Sequence, residues 1–159
     1  MNESIFHKEL IKVSISIPFN IMGKNLKQYF ENYAVNNIEG MCRNEGYVKS
    51  NSSKIINYSA GLIESNDIIY DLTYEVDICT PYDNMICNFI IKNINKIGIR
   101  AIYSNNDNPI MAFISREHNS DKDFELYEEE QIISVKVLGN RYELNDEYIS
   151  LIAELIKNR

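Results

Sequence analysis

FIIKNINKIGIRAIY (residues 89–103), IMAFISRE (110–117) and VKVLGNR (135–141) follow one another at strand-like spacing. Each is a short run rich in β-branched and aromatic residues, which suit a pleated, half-buried surface. Gly98 stands at the bend after NINKI, where a residue without Cβ turns the chain at no steric cost. Working outward, candidate strands fall at about 85–94, 97–104, 110–115, 131–139 and 146–155, all beyond a turn-forming break at TPYDN (80–84). Five strands in about 75 residues is the complement of a small barrel. The last stretch is ambiguous by period, because Leu144, Tyr148, Leu151, Ile152 and Leu155 also suit a helix. It is assigned as a strand because the barrel needs a fifth.

The first half reads differently. KELIKVSISI (8–17) alternates, with Leu10, Val13, Ile15 and Ile17 mostly on one side and Lys12, Ser14 and Ser16 on the other, and it ends at Pro18. From about Asn20 to Val35 the period becomes helical, with Met22, Leu26, Tyr29, Phe30, Tyr33 and Ala34 on one face. Gly40 and Gly46 bracket a bend or strand, SNSS (50–53) is a turn, and strands follow near 54–64 and 67–79. The reading is β-α-β-β-β, so the chain is α+β: a small antiparallel sheet with one helix over 1–80, then a five-stranded barrel over 81–159.

Composition limits the function. The chain has 159 residues, 45% hydrophobic and 11% aromatic, ample for a buried core. No run reaches the roughly 18 apolar residues of a membrane span, and MNESIFHKEL lacks the basic-then-apolar order of a signal peptide, so an intracellular protein without membrane attachment is expected. Cys42, Cys79 and Cys87 show no CxxC pairing and read as buried free thiols, with no metal site. His7 and His118 are the two histidines, and no nucleophile triad, phosphate loop or HExxH motif is present. No catalytic residue and no cofactor are expected. The chain holds 26 Ile and 21 Asn, both with AT-rich codons, which suggests an AT-rich coding genome and Ile-rich strands joined by Asn-rich turns. Net charge is −7, unfavourable for binding phosphates, but the excess is local. DKDFELYEEE (121–130) carries six acids against one lysine, while the rest of 82–159 carries eight basic residues against seven acidic ones. That loop is solvated, meets a basic partner or keeps polyanions off one side.

The second half resembles an S1-type OB fold, a small RNA-binding barrel. With the first half included, the order of elements resembles the stalk subunit of multisubunit RNA polymerases, the seventh subunit of the eukaryotic polymerase II and its counterpart in the archaeal enzyme. The similarity covers nearly the whole chain. It rests on PFNIMGKNLKQYF (18–30), IEGMC (38–42), AGLI (60–63), YDLTYEV (70–76), NINKIGI (94–99), FISRE (113–117) and VKVLGNR (135–141). Gly23, Gly40, Gly46, Gly61, Gly98 and Gly139 all fall where the family has glycine. The resemblance implies a non-catalytic subunit whose N-terminal tip domain docks at the base of the polymerase clamp, against the largest subunits. It implies an OB domain near the RNA exit path that guides nascent single-stranded RNA, and a small helical stalk partner along both domains. The nucleus is then the compartment, or the host cytoplasm and virion if a large DNA virus encodes the chain.

Two sets of residues follow. The RNA-facing candidates are Lys92, Lys96, Arg100, Tyr103, Phe113 and Arg116, on the argument that Ile97, Ile99 and Ala101 face one side while Arg100 and Ile102 face the other. The competing reading makes Phe113 core and the charges ordinary solvated residues. The docking candidates are Pro18, Phe19, Ile21 and Gly23 in the turn after the first strand, with Gly61 in the hairpin near Ser59–Ile63. Phe19 and Ile21 serve equally well as staples of the helix start. Departures from the family stand at Asp83–Asn84, where a glycine is usual, and in a short loop over 116–130. Arg100 replaces a frequent aromatic and Phe113 a frequent histidine, which points to weak RNA binding without sequence preference. A free-standing S1-type RNA-binding protein of translation or RNA decay is the alternative, and a purely protein-binding role is a third.

Overall fold

In the computed structural model, which describes residues 5–21, 25–103, 108–119 and 124–156, the first alternating run is the long strand β1 (Phe6–Pro18). Ile11, Ile15 and Ile17 are buried and Val13 packs beside them, but Leu10 is 59% exposed. The inward series therefore begins at Ile11, in strict period-two phase with Val13, Ile15 and Ile17, and Leu10 belongs to the other face. A short 3₁₀ turn (Phe19–Ile21) follows, and then the helix α1 (Leu26–Asn37). The helix starts later than its periodicity suggests because Asn25 caps it, its side-chain Oδ1 accepting the Gln28 N–H at 3.3 Å.

Two strands form a hairpin, β2 (Cys42–Arg43) and β3 (Gly46–Val48). The expected strand over 54–64 is two pieces, β4 (Lys54–Tyr58) and β5 (Leu62–Glu64), with Ser59–Gly61 between them. Both pair with β6 (Asp67–Cys79), whose other edge pairs with β1 along its whole length. The chain divides into two compact units, residues 1–41 with 48–79 and residues 42–47 with 80–159. In the first, Phe30, Ala34 and Ile38 recur every fourth residue and pack on Ile11, Ile15, Ile17, Tyr70, Leu72 and Tyr74. The Phe30 ring lies 5.0 Å from that of Tyr58 and 5.3 Å from that of Tyr70. The Tyr74 hydroxyl donates to the Phe30 carbonyl at 2.6 Å, which satisfies the one polar atom of an otherwise apolar buried ring. Gly40, at φ +73°, turns the chain out of the helix in a conformation other residues resist.

The second unit is a closed barrel of β7 (Ile86–Ile94), β8 (Gly98–Ile102), β9 (Ile110–Ser115), β10 (Ile132–Arg141) and β11 (Ile149–Leu155). Neighbours follow the order β10-β11-β9-β8-β7, with β7 closing on β10; β9 and β11 run parallel and the other pairs antiparallel. Phe89, Ile91, Ile99, Ala101, Ala112, Ile114, Ile133, Val135, Val137, Ile149, Leu151, Ala153 and Leu155 fill the interior. The period-two burial of Ile149–Leu155 resolves the ambiguity of the last segment in favour of a strand. Leu144 and Tyr148, which a helical stripe would bury, are 61% and 37% exposed. The α+β architecture with one helix and a closed barrel agrees with the reading of the sequence.

The hairpin Cys42–Tyr47, assigned to the first half by its place in the chain, groups with the barrel. Cys42 exchanges backbone hydrogen bonds with the loop before β11: its N–H reaches the Asp146 carbonyl and its carbonyl takes the Asn145 N–H, both at 2.8 Å. The Tyr142 hydroxyl donates to the Asn44 carbonyl at 3.1 Å, and the Thr80 hydroxyl to the Glu45 carbonyl at 2.7 Å. Among the described residues no helix is long and apolar enough to cross a membrane.

Candidate functional site

The barrel wall presents Arg100 and Phe113 side by side. Ile99 and Ala101 on β8, and Ala112 and Ile114 on β9, point inward, so the residues between them point out. Arg100 and Phe113 are direct cross-strand partners. The row continues to both sides, with Asn93 opposite Arg100 on β7 and Ile152 opposite Phe113 on β11. Phe113 is 39% and Ile152 48% exposed, so Phe113 is not a core residue. The row is a strip across neighbouring strands about 4.8 Å apart that offers an aromatic face, a guanidinium and an aliphatic neighbour to solvent. The Arg100 side chain makes no ion pair or hydrogen bond among the described residues.

A second pair gathers at the end of the same two strands. Asn95 accepts the N–H groups of Ile97 and Gly98 through its side chain, at 2.9 and 3.2 Å, and this turn leaves Lys96 exposed. Arg116 joins it: its backbone N–H donates to the Ile97 carbonyl at 3.0 Å and its Nε to the Asn95 carbonyl at 3.2 Å. Its guanidinium lies over the Phe124 ring at 4.8 Å from the centroid, which orients the group while leaving it charged. Ile97, expected to share the inward face of Ile99, is 68% exposed because it sits in this turn and the strand begins only at Gly98. A Cβ on Gly98 would lie 2.1 Å from the Ile114 carbonyl oxygen, so glycine is what allows β8 to approach β9 there.

Two candidates are otherwise engaged. Lys92 sits at a bulge in the β7–β8 register, and its ammonium meets both carboxylate oxygens of Glu130 at 2.8 and 3.0 Å. Tyr103 is partly buried with its ring edge-on to the core residue Phe89, centroids 6.3 Å apart. Ile102, expected to be exposed beside Arg100, shares that outward phase but is 8% exposed. Asn93 and Ile152 were missed, because the sequence shows which residues alternate but not which strands are neighbours.

The docking candidates converge at one end of the first unit's sheet. Pro18 is opposite Asp67, and the Phe19 N–H reaches the Asn66 carbonyl at 3.4 Å. Across β6, Ile63 pairs with Ile68 and Glu64 with Asp67. Phe19 is 45%, Leu62 70% and Ile63 73% exposed, an unusual apolar load for a sheet end. Ile21 closes the 3₁₀ turn, and Gly23 lies outside the described residues. A Cβ on Gly61 would fall 2.5 Å from Cγ2 of Ile68, so the chain crosses close to β6 before β5. Leu62 and Ile63 carry more exposed apolar surface than the glycine that marked the hairpin.

Of the thiols, Cys42 and Cys79 are buried and Cys87 partly so. Burial and the neighbouring Asp146 carboxylate push the Cys42 thiol up to about 11, and burial pushes Cys87 up as well. These groups are poor nucleophiles at neutral pH. No group of three or more His, Cys, Asp or Glu among the described residues is arranged to hold a metal ion.

No family model matches the chain. A protein of Acanthamoeba polyphaga mimivirus, named as a candidate DNA-directed RNA polymerase subunit, is 25% identical over 175 aligned residues that span 97% of this chain and 83% of its own length.

Proposed function

We propose that this chain is a non-catalytic subunit of a DNA-directed RNA polymerase, of the stalk type. In this reading residues 1–80 form the tip that docks at the clamp base, and 81–159 an S1-type OB domain that guides nascent RNA. The observation that carries the polymerase attribution is the 25% identity along 97% of the chain to a viral protein named as such a subunit. A match of that span takes in the helix-bearing unit as well as the barrel, which a generic barrel similarity would not. The stalk assignment rests on the resemblance of PFNIMGKNLKQYF, AGLI and FISRE to that family. It is supported by an apolar sheet end at Phe19, Leu62 and Ile63 and by an outward Arg100–Phe113 pair. The viral relative also favours a chain acting in host cytoplasm and virion.

The RNA contact fits weak, sequence-tolerant stacking. A phenyl face stacks on any base, and Arg100 can stack or meet phosphate. The strip carries few base-edge donors, so shape and charge govern binding more than sequence.

The test is affinity capture of the tagged chain from its native host or infected cells at moderate salt, with mass spectrometry of what accompanies it. Stoichiometric recovery of the two largest polymerase subunits is the expected result. Ribosomal or RNA-decay factors without polymerase would overturn it in favour of a free-standing RNA binder. In captured polymerase, replacing Arg100 and Phe113 together with Ala is expected to abolish RNA crosslinking and leave assembly intact. Unchanged crosslinking would remove the barrel from the RNA path.

A further inference from the structure

The outward row of Arg100, Phe113 and Ile152 runs on to a residue with no side chain. Gly139 on β10 is the direct cross-strand partner of Ile152 on β11, so the two share the outer face of the barrel. Two residues farther along β10, Arg141 is opposite Ser150, on the same face. Arg141 is exposed, and its side chain, like that of Arg100, makes no ion pair or hydrogen bond among the described residues. The carboxylate that flanks Ile152 on its own strand, Glu154, lies 3.7 Å from the Lys136 ammonium. The strip from β8 to β10 thus has an uncommitted guanidinium at each end and an apolar centre.

The glycine is the unexpected member. A glycine inside a strand weakens it, and occurs there where the backbone needs positive φ, where a neighbour crowds the Cβ position or where a ligand approaches closely. Gly139 does not have positive φ, although the β10–β11 register shifts between Val137 and Gly139. Nothing lies within 4 Å of a Cβ built on it. The first two reasons are therefore absent, and approach from outside remains. Ile152 beside it is 48% and Phe113 39% exposed, so the surface is open along the row.

Charge and shape decide the occupant. Two guanidinium groups about three strand spacings apart, roughly 14 Å, suit a polyanion. Between them an aromatic ring, an isoleucine and bare backbone offer apolar faces, which unpaired bases cover and the paired bases of a duplex do not.

We propose that single-stranded RNA crosses the barrel wall from β8 over β9 and β11 to β10. One base lies on the Phe113 ring and a following base against Ile152 and the bare backbone of Gly139, with Arg141 holding a phosphate at the far end. The proposal rests on the RNA-guiding role of the barrel, and adds to that role the course of the strand and a second cation.

The test uses the whole chain, ¹⁵N-labelled, and a 12-nucleotide oligouridine. The expected result is saturable amide shift changes at residues 100 and 113 and also at 139, 141 and 152. Arg141→Gln is expected to weaken binding about fivefold at 0.1 M salt and to reduce the slope of log affinity against log salt by about 0.7, the effect of one phosphate contact on a single strand. Gly139→Val, which puts a branched side chain into open space and leaves the core intact, is expected to weaken binding severalfold and to remove the change at 152 while those at 100 and 113 persist. Spectra of the free variants, unaltered away from the substitution, report that each is folded. Binding that is lost on replacing Arg100 and Phe113 together with Ala, but is unaffected by Arg141→Gln and Gly139→Val, would overturn this course and leave the RNA-guiding role standing. Absence of shift changes in the unaltered chain would overturn that role and this course with it. Equal binding of an RNA duplex of the same length would overturn the seating of bases by reducing the contact to charge.

Discussion

At the scale of single residues, glycines of the same barrel divide by what surrounds them. Gly98 has the Ile114 carbonyl oxygen where a Cβ would go, whereas nothing lies within 4 Å of a Cβ built on Gly139. Gly98→Ala is therefore expected to cost about 1–3 kcal/mol, the range for overpacking, and Gly139→Ala to stay within about 0.5 kcal/mol, as read from urea midpoints. Equal midpoints for the two variants would refute the close approach of β8 to β9. Lys92 makes a different point: it was nominated by charge alone, but Glu130 already occupies it at 2.8 Å. If the barrel binds RNA, phosphate competes with that carboxylate. Glu130→Gln is expected to raise RNA affinity and to steepen the salt dependence by roughly one phosphate contact, while Lys92→Ala in the otherwise unchanged chain alters little. Reduced affinity on Glu130→Gln would mean that Glu130 orients Lys92 for RNA instead of blocking it.

At the scale of elements, hydrophobic period was a reliable guide inside strands and a poor one at their ends. The strand at 110–115 is found at its expected bounds, because a single inward phase runs through Ala112 and Ile114. The helix start moved to Leu26 because Asn25 caps it, a local hydrogen bond that no apolar spacing reports. The hairpin of β2 and β3 was legible only as a bend between two glycines. Its engagement with the 142–146 loop depends on backbone bonds at Cys42, which any residue could make. That engagement carries a pH signature. The Cys42 thiol is held up to about 11 in the fold by burial and Asp146, whereas an unfolded chain ionises it near 8.5. Since the folded state binds the proton more tightly, this contribution is whole below about pH 8.5 and is lost as pH rises through about 11. The urea midpoint of the unmodified chain should therefore fall more steeply than that of Cys42→Ala between pH 8 and 11. Parallel falls would place the thiol in a solvated environment.

At the scale of the whole molecule, the barrel unit is not one continuous stretch of chain, because residues 42–47 belong to it. Residues 80–159 expressed alone would lack the partners of Thr80, Tyr142, Asn145 and Asp146, replacing four hydrogen bonds within the unit, that of the partly buried Tyr142 among them, by hydrogen bonds to water. That fragment is expected to unfold at a lower denaturant concentration than the barrel signal of the intact chain, and addition of a peptide covering 40–49 should restore part of the difference. A fragment as stable as the intact barrel would make the hairpin a passenger. The sequence by itself determined the class of the fold: alternation in 8–17, a single amphipathic helix around Phe30, and a run of five short strands after Thr80, the complement of a small barrel. Only the tertiary structure decided which strands are neighbours. The parallel pairing of β9 with β11 sets Ile152 beside Phe113, and the closure of β7 on β10 sets Ile90 beside Ile132. The physical reason is that side-chain period is a local property of the backbone, whereas a surface on a barrel is built from residues brought together across strands by hydrogen bonds that carry no side-chain signature.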